Sequence, residues 1–573
     1  MILSRLKEYA DTRMDLPPAM YGETSVRWFV DIGADGTLEG FTSRGGDTKA
    51  NRRGEILRVP QLVRSVGISP KLLADNGEYA LGIGRQGADE TKVTERHRRF
   101  VGLVRRCAEE TDEGSVWAVV RFLEGWAPDR DGGLLPDGFD PGDTLTFRVD
   151  GVLPVDLEPV QTFWADDTAG PEGRSMTCLV TGEVGPVEER LPVKIKGVPG
   201  GQTSGTSLVS ANAEPFTSYG LKNSLTSPIS RNAGERFAKA LNHLISDGPS
   251  RMYVGPTVYA FWTRKETGFD YLQFVEQPKP QAVKELFQSP HTTRVPHDLK
   301  EDEFYALALS ASGGRAVVRD WLETTIPEVR ESLKRWFEGQ GIVDAYGEES
   351  SEYLGVRALA RATVQRKGET NRDAEQRIQP ALGSALVRVA IKGGRLPEDL
   401  LARVVRRNRV EGEVTRPRAA LIKLVFATQG GSMNEMQALN PNPNLAGDER
   451  AAYHCGRLLA EVEAVQRAAL GQVNASVTDR YYGSASSTPA SVFPSLMRGA
   501  RANLGNLRRK APATHAALDA RIMEIASNLP DFPKVLTTRS QGLFALGYYH
   551  QRAKDRADAR AAREARDGKK EES

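Results

Sequence analysis

Residues Gln429 to Asp448 read QGGSMNEMQALNPNPNLAGD, and this stretch divides two kinds of sequence. Its density of Gly, Asn and Pro is that of a linker. Beyond it, apolar residues recur at helical spacing: Cys455, Leu458, Leu459, Val462 and Val465; Leu496, Ala500, Leu504 and Leu507; Leu518, Ile522, Ile525 and Leu529. A fourth segment runs from about Thr537 toward Arg566. Consecutive amphipathic helices of this kind predict a small helical bundle.

Upstream of the linker the chain reads as mostly helical and Arg-rich back to Asp302, with a break and restart at Pro327. Further back the pattern changes. Ser25 to Ile32 (SVRWFVDI), Val116 to Phe122 (VWAVVRF), Thr144 to Val149 (TLTFRV) and Met176 to Val180 (MTCLV) are rich in β-branched and aromatic residues. Turn residues such as Gly33-Ala34-Asp35-Gly36 separate them, so strands are predicted. Met252 to Trp262 reads as one or two more strands, and Glu235 to Asn242 as a short helix. Between Thr91 and Glu110, Val93, Phe100, Val104 and Cys107 fall at helical spacing. The predicted class is α+β: a mixed, strand-rich region over 1–250, a mostly helical region over 251–428, a linker over 429–448 and the bundle over 449–573.

A chain of 573 residues, 39% hydrophobic and 27% charged, is long enough for several domains and a sizeable core. Its 77 basic and 75 acidic residues nearly cancel, leaving a net charge of +2, so clustering decides whether a polyanion binds. No apolar run approaches the roughly 20 residues a membrane span needs. The start, Met1-Ile2-Leu3-Ser4-Arg5-Leu6-Lys7, leads into no apolar segment, so no signal peptide and a cytoplasmic location are expected. Cys107, Cys178 and Cys455 lie far apart with no redox or zinc-site spacing, which suits a reducing compartment.

Catalytic signals are few. Gly82-Ile83-Gly84-Arg85-Gln86-Gly87 matches G-x-G-x-x-G, with strand-like Tyr79-Ala80-Leu81 before it and a predicted helix after. No βαβ rhythm surrounds it, and Glu109 and Glu110 lie inside a helical pattern where the fingerprint wants an acid after a second strand. None of the seven histidines has another at i+4, and His297-Asp298 stands alone. Neither a P-loop nor a nucleophile elbow occurs. The expectation is no catalytic site, no metal and no cofactor. An enzyme working through the Gly82–Gly87 loop, a nuclease or a nucleotide-dependent protein, is the first rival reading, and a purely structural scaffold the second.

Polyanion signals are stronger. Lys92, Arg96, His97, Arg98, Arg99, Arg105 and Arg106 crowd one predicted helix. Either they meet phosphates or they form a solvated face paired with Glu95, Glu109 and Glu110. Arg403, Arg406, Arg407, Arg409, Arg416 and Arg418 carry the same ambiguity. The most distinctive stretch is Lys194 to Pro228, KIKGVPGGQTSGTSLVSANAEPFTSYGLKNSLTSP. It sets Lys194, Lys196 and Lys222 among glycines and among Gln202, Ser204, Ser210, Asn212, Ser218, Tyr219 and Asn223. Gly lets backbone amides approach phosphates, Gln and Asn read base edges, and Tyr stacks or bonds. A structural turn region has the same composition.

These residues also resemble a known family, the large subunit of the type I-C CRISPR Cascade complex (the Csd, or Dvulg, subtype). The resemblance is carried by Met1-Ile2-Leu3, Leu72 to Gly82 (LLADNGEYALG), Ser204-Gly205, Leu208 to Ala213 (LVSANA), Ser218-Tyr219-Gly220, Val317 to Trp321 (VVRDW) and Gly547 to Arg552 (GYYHQR). Ala211, where the family pattern has an aromatic, and Ser312-Gly313-Gly314, where it has an Asn, depart from it. The resemblance implies a non-enzymatic subunit of a crRNA-bearing ribonucleoprotein, with 1–250 as its DNA-recognition region. It would read the protospacer-adjacent motif in double-stranded DNA, aid duplex opening and R-loop formation, and support recruitment of a separate helicase-nuclease. Its other partners would be the Cascade backbone and crRNA-processing subunits.

The same resemblance implies roles for particular residues. Asn76 would meet a base edge, or serve as a cap. Gln202 would wedge into the duplex, or lie in a mobile loop. Lys194 and Lys196 would hold phosphates, with Ser204, Asn212, Tyr219, Lys222 and Asn223 beside them; Tyr219 is otherwise a core tyrosine. Arg98 and Arg99 would contact the backbone or the crRNA handle. Arg498, Arg501, Arg508, Arg509 and Lys510 would line a single-strand groove, or form a solvated helix face. Small subunits would be translated separately from Met433 or Met436.

Overall fold

The computed structural model describes every residue except 1, 19, 45–53, 63–66, 170–173, 212, 247, 289–302, 349–351, 366–369, 431–444 and 572–573. Asn212, Met433, Met436 and the His297-Asp298 pair therefore lie outside the described residues. The chain forms two compact units, Met1–Val193 with Val209–Ala240, and Lys194–Leu208 with Leu241–Ser573.

In the first unit a four-stranded sheet runs Leu38–Ser43, Trp28–Ile32, Thr144–Val149, Ala74–Asn76 in spatial order. Trp28–Ile32 and Thr144–Val149 pair in parallel, which needs a long crossover. Helices Glu90–Thr111 and Gly114–Gly125 lie within that crossover. The first buries Phe100, Leu103, Val104 and Cys107 against Phe29, Val30 and Phe147 of the sheet core. The turn over Gly33–Gly36 forms as expected, closed by Gly33 N–H to the Thr37 carbonyl at 2.9 Å.

Two strand expectations here need correction. Val116 to Phe122 lies in helix Gly114–Gly125. Its buried Val116, Val119, Val120 and Leu123 fall at i, i+3, i+4 and i+7, but an almost wholly apolar run masks that period. Met176 to Val180 shrinks to Ser175–Thr177, because the chain turns back at Thr181-Gly182 to pair with Val184–Pro186.

The second unit holds an antiparallel meander of four strands, Arg251–Val254, Thr257–Thr263, Glu303–Ser312 and Arg315–Thr325. Residues 303–325 are thus a hairpin and not the predicted helix. Glu303–Ser312 is buried on both faces, so it lacks alternation, and Gly313-Gly314 makes its turn. Pro327 starts a helix and does not interrupt one. Thr325 caps Ile326–Gln340 in a box with Glu328, and Pro327 takes a first-turn position where no N–H partner is lost.

One core runs from Met252 on this sheet to Ala553 in the last helix. The C-terminal helices are Gly447–Leu470, Val477–Ala485, Pro489–Lys510, Pro512–Ser527 and Thr538–Glu571. Gly447–Leu470 and Thr538–Glu571 pack backbone to backbone. A Cβ on Gly456 would sit 1.9 Å from the Phe544 carbonyl oxygen, and one on Gly547 2.0 Å from that of Tyr453.

Candidate nucleic-acid interface

Residues Lys194–Leu208 form a loop tied down along its length. Ile195 and Val198 are buried, while Lys194 and Lys196 on either side of Ile195 point to solvent. Ile195 and Thr206 exchange backbone hydrogen bonds at 2.8 and 2.7 Å, and the Thr206 hydroxyl donates to the Ile195 carbonyl at 3.1 Å. Asn242 clamps the base: its Oδ1 accepts from Lys196 N–H at 2.8 Å and its Nδ2 donates to the Lys194 carbonyl at 2.9 Å. Gly205 closes the loop at φ +98°, where a Cβ would meet that of Lys194 at 2.8 Å.

The loop is fixed to the tip of the Glu303–Thr325 hairpin. Ser207 N–H donates to the Gly314 carbonyl at 2.9 Å, Ala316 N–H to the Ser207 carbonyl at 2.9 Å, and Ala311 N–H to the Pro199 carbonyl at 3.2 Å. The carboxamide of Gln202 lies over Gly314, about 3.5 Å from where a Cβ would be. Gln202, Thr203 and Ser204 are exposed at the end of this support. The pairing makes the loop a structured extension of the sheet edge, not a mobile linker. Asn242 and Gly314 leave no local sequence pattern, because their contacts here are long-range.

The other candidates of the Lys194–Pro228 stretch belong to the first unit. Ser218, Tyr219, Gly220 and Leu221 form a tight turn, with Leu221 N–H bonded to the Ser218 carbonyl at 2.8 Å. Tyr219 takes φ +51° and is 98% exposed, so it is not a core tyrosine. Lys222 is exposed. Asn223, also at positive φ, donates from Nδ2 to Glu189 Oε1 at 2.7 Å and so locks the loop. Asn76 ends strand Ala74–Asn76 and caps helix Gly77–Ala80, its Oδ1 accepting from Tyr79 N–H at 3.3 Å.

Helix Glu90–Thr111 neutralises its own charge. Lys92 pairs with Asp89, Arg96 with Glu78, Arg98 and Arg99 with Glu95, Arg105 with Glu124, and Arg106 with Asp167. Hydrogen bonds from Arg98 and then Arg99 hold the Glu95 carboxyl down to about 2. His97 is drawn below its ordinary value by burial, its Nδ1 2.9 Å from the Tyr79 carbonyl. The Gly82–Gly87 loop precedes this helix, but Tyr79 and Ala80 are helical, so the strand–loop–helix setting of a dinucleotide fingerprint is not formed.

Helix Pro489–Lys510 behaves differently. It buries Phe493, Leu496, Ala500, Leu504 and Leu507 on one face and exposes Arg498, Arg501, Arg508, Arg509 and Lys510 to varying degrees. Among the described residues none of these five has a carboxylate within ion-pair distance; Arg509 only leans on Asn506 Oδ1 at 3.5 Å. At about 100° per residue, Arg498, Arg501, Arg508 and Arg509 share roughly a third of the helix circumference. That is a strip of unpaired positive charge about 16 Å long.

Among the described residues no group of three or more His, Cys, Asp and Glu side chains is placed to hold a metal ion. No helix among them is long and apolar enough to cross a membrane. Compared with known families, residues 3–555 match the model of the CRISPR-associated protein family Cas_Csd1. A comparison with curated proteins gives no match.

Proposed function

We propose that this chain, which belongs to the CRISPR-associated Cas_Csd1 family, is the large subunit of a cytoplasmic type I-C Cascade complex and reads the protospacer-adjacent motif in double-stranded DNA. In that role it performs no chemistry of its own. It helps open the duplex and form the R-loop, and supports the arrival of a separate helicase-nuclease. The crRNA reads the remaining sequence by base pairing.

The observation that carries the reading is the anchored loop. Gln202 stands over Gly314 at the loop's outer end, on a backbone fixed at both sides, with Lys194 and Lys196 at its base. A carboxamide both donates and accepts at a base edge, while lysines bind phosphates without sequence preference. A support ordered in advance spares the cost of ordering the loop on binding.

The test is binding of the crRNA-assembled complex to duplexes that differ only in the bases flanking the target, at fixed salt. Gln202→Ala is expected to lose about 1–3 kcal/mol of discrimination between flanking bases. Lys194→Ala with Lys196→Ala is expected to weaken all duplexes alike. If Gln202→Ala discriminates as wild type does, the loop is not the reader and the subunit is a scaffold or strand holder.

A further inference from the structure

The second arginine cluster in the sequence divides once the chain is folded. Arg403 bonds Asp399 Oδ2 and Gln379 Oε1, both at 2.8 Å. Arg407 and Arg418 pair with Glu411, and Arg416 with Glu352. Arg406 and Arg409 remain exposed, with no carboxylate in ion-pair distance among the described residues. Helix register is the reason. On Glu398–Glu411, Arg403 has Asp399 at i−4 and Arg407 has Glu411 at i+4, whereas Arg406 has Ala402 and Val410. For Arg409, Gly412 ends the helix at φ +64° before Glu413 can come round to its face.

Apolar residues share that open face. Ala402, Val405 and Val410 stand at three- and four-residue spacing from the two arginines, and all five line a groove of about 440 Å³. Gly483 and Thr538 bring two other helices to it, and its lining holds neither an acidic side chain nor an aromatic ring. Folding leaves large apolar side chains wet here: Val410 is 59% exposed, and Tyr481, two residues before Gly483, is 40% exposed. Arg480, one turn before Gly483 on helix Val477–Ala485, is also exposed and unpaired among the described residues. Thr538 opens the helix Thr538–Glu571, whose dipole adds partial positive charge at the groove.

We infer that this groove docks an acidic, amphipathic segment of a partner protein, its carboxylates on Arg406 and Arg409 and its apolar side chains against Ala402, Val405 and Val410. Charge complementarity sets the sign of the partner, since the groove presents two unpaired guanidiniums and no acid. Each guanidinium offers a planar fork that a carboxylate fills with two hydrogen bonds. The lining sets the class. A single nucleic-acid strand is held by aromatic faces between its phosphate contacts, and no ring lines this groove. A small free anion would leave Ala402 and Val410 in water. An amphipathic segment covers the apolar residues and neutralises the arginines together, the combination by which peptides occupy grooves between helices. The surface is independent of the motif-reading role, which rests on Gln202.

The test uses the full chain and three fluorescent probes of equal length: a peptide of Glu-Glu-Leu-Leu repeats, the same peptide with Lys in place of Glu, and oligo-dT. Wild type is expected to bind the Glu peptide roughly tenfold more tightly than the Lys peptide. Arg406→Glu with Arg409→Glu should abolish or reverse that preference. Val410→Ser should weaken the Glu peptide roughly fivefold, through lost apolar contact alone. Arg403→Ala, whose side chain already bonds Asp399, should change nothing. The substituted side chains at 406, 409 and 410 are exposed, and an unchanged Tm shows that each variant is folded. Equal binding of the two peptides by wild type overturns the inference, as does a preference that survives Arg406→Glu with Arg409→Glu. It is overturned as well if oligo-dT displaces the Glu peptide from wild type and loses its own affinity in that double variant, because the groove then belongs to nucleic acid.

Discussion

At the scale of single residues, the sharpest departure from ordinary behaviour is Glu461, a carboxyl with 0% exposure in the C-terminal bundle. Gln551 Nε2 donates to Glu461 Oε1 at 2.6 Å and to Asp555 Oδ1 at 3.0 Å. Arg521 Nε is 3.2 Å from Glu461 Oε1 but makes no hydrogen bond to it. Its pull therefore loses to burial and to the neighbouring Asp555 charge, and the Glu461 carboxyl is pushed up to about 8. In the unfolded chain the group titrates near its ordinary 4.5. Between these values the native state holds a proton that the unfolded state has lost, so this group's contribution to stability is complete below about 4.5 and declines as pH rises toward 8. Glu461→Gln keeps the neutral, hydrogen-bonding shape. The difference in Tm between that variant and wild type should be small at pH 5 and grow in the variant's favour toward pH 8. A constant difference across that range would mean that Glu461 is ionised in the native bundle.

At the scale of elements, the close crossing of Gly447–Leu470 and Thr538–Glu571 sets opposite outcomes for the same chemical change. Gly547→Ala places a methyl 2.0 Å from the Tyr453 carbonyl oxygen, so the helices must part, at a cost of about 1–3 kcal/mol or more. Gly499→Ala on Pro489–Lys510 meets nothing within 4 Å and removes only backbone freedom, so it should stabilise by about 0.5–1 kcal/mol. Denaturant midpoints of the two variants on opposite sides of wild type would bear this out; equal shifts would not. Helix Pro489–Lys510 is legible in the sequence because it keeps one wet face, and Leu496, Ala500, Leu504 and Leu507 display the period directly. Gly447–Leu470 is buried all round from Ala452 to Val462, and its period shows only because His454, Arg457 and Glu461 interrupt the apolar residues. Where an element is apolar on every side the period vanishes. Glu303–Ser312 reads as helical for that reason, and only Gly313-Gly314 marks its turn. Val116–Phe122 reads as extended because Arg121 alone interrupts its apolar run, although Arg121 and Glu124 keep that helix one exposed side. The candidate site divides in the same way. Composition singles out Lys194, Lys196 and Gln202, but their support on Ala311, Gly314 and Ala316 lies more than a hundred residues away and depends on a hairpin whose sequence does not alternate.

At the scale of the whole molecule, 77 basic and 75 acidic residues cancel almost completely, and the function of any cation depends on whether folding gives it a carboxylate. Sequence density alone ranks the Glu90–Thr111 helix as the better polyanion binder, since it holds Arg96, Arg98, Arg99, Arg105 and Arg106 within two to three turns. Ion pairing reverses the order. Each of those arginines has an acid partner, while Arg498, Arg501, Arg508 and Arg509 have none among the described residues. An ion-paired arginine must give up its carboxylate to gain a phosphate, so the net gain is small and releases few counterions; an unpaired one releases its counterion in full. Removing Arg501 and Arg508 should therefore make the salt dependence of single-strand binding shallower by roughly 1.4, at about 0.7 per phosphate. Removing Arg98 and Arg99 should change it less, because both already share the Glu95 carboxylate, which a phosphate would have to displace. The reverse order in titrations of the two double variants at matched salt would place the strand on the Glu90–Thr111 helix. It would also mean that nucleic acid displaces Glu95 from Arg98 and Arg99, breaking both of those ion pairs on binding.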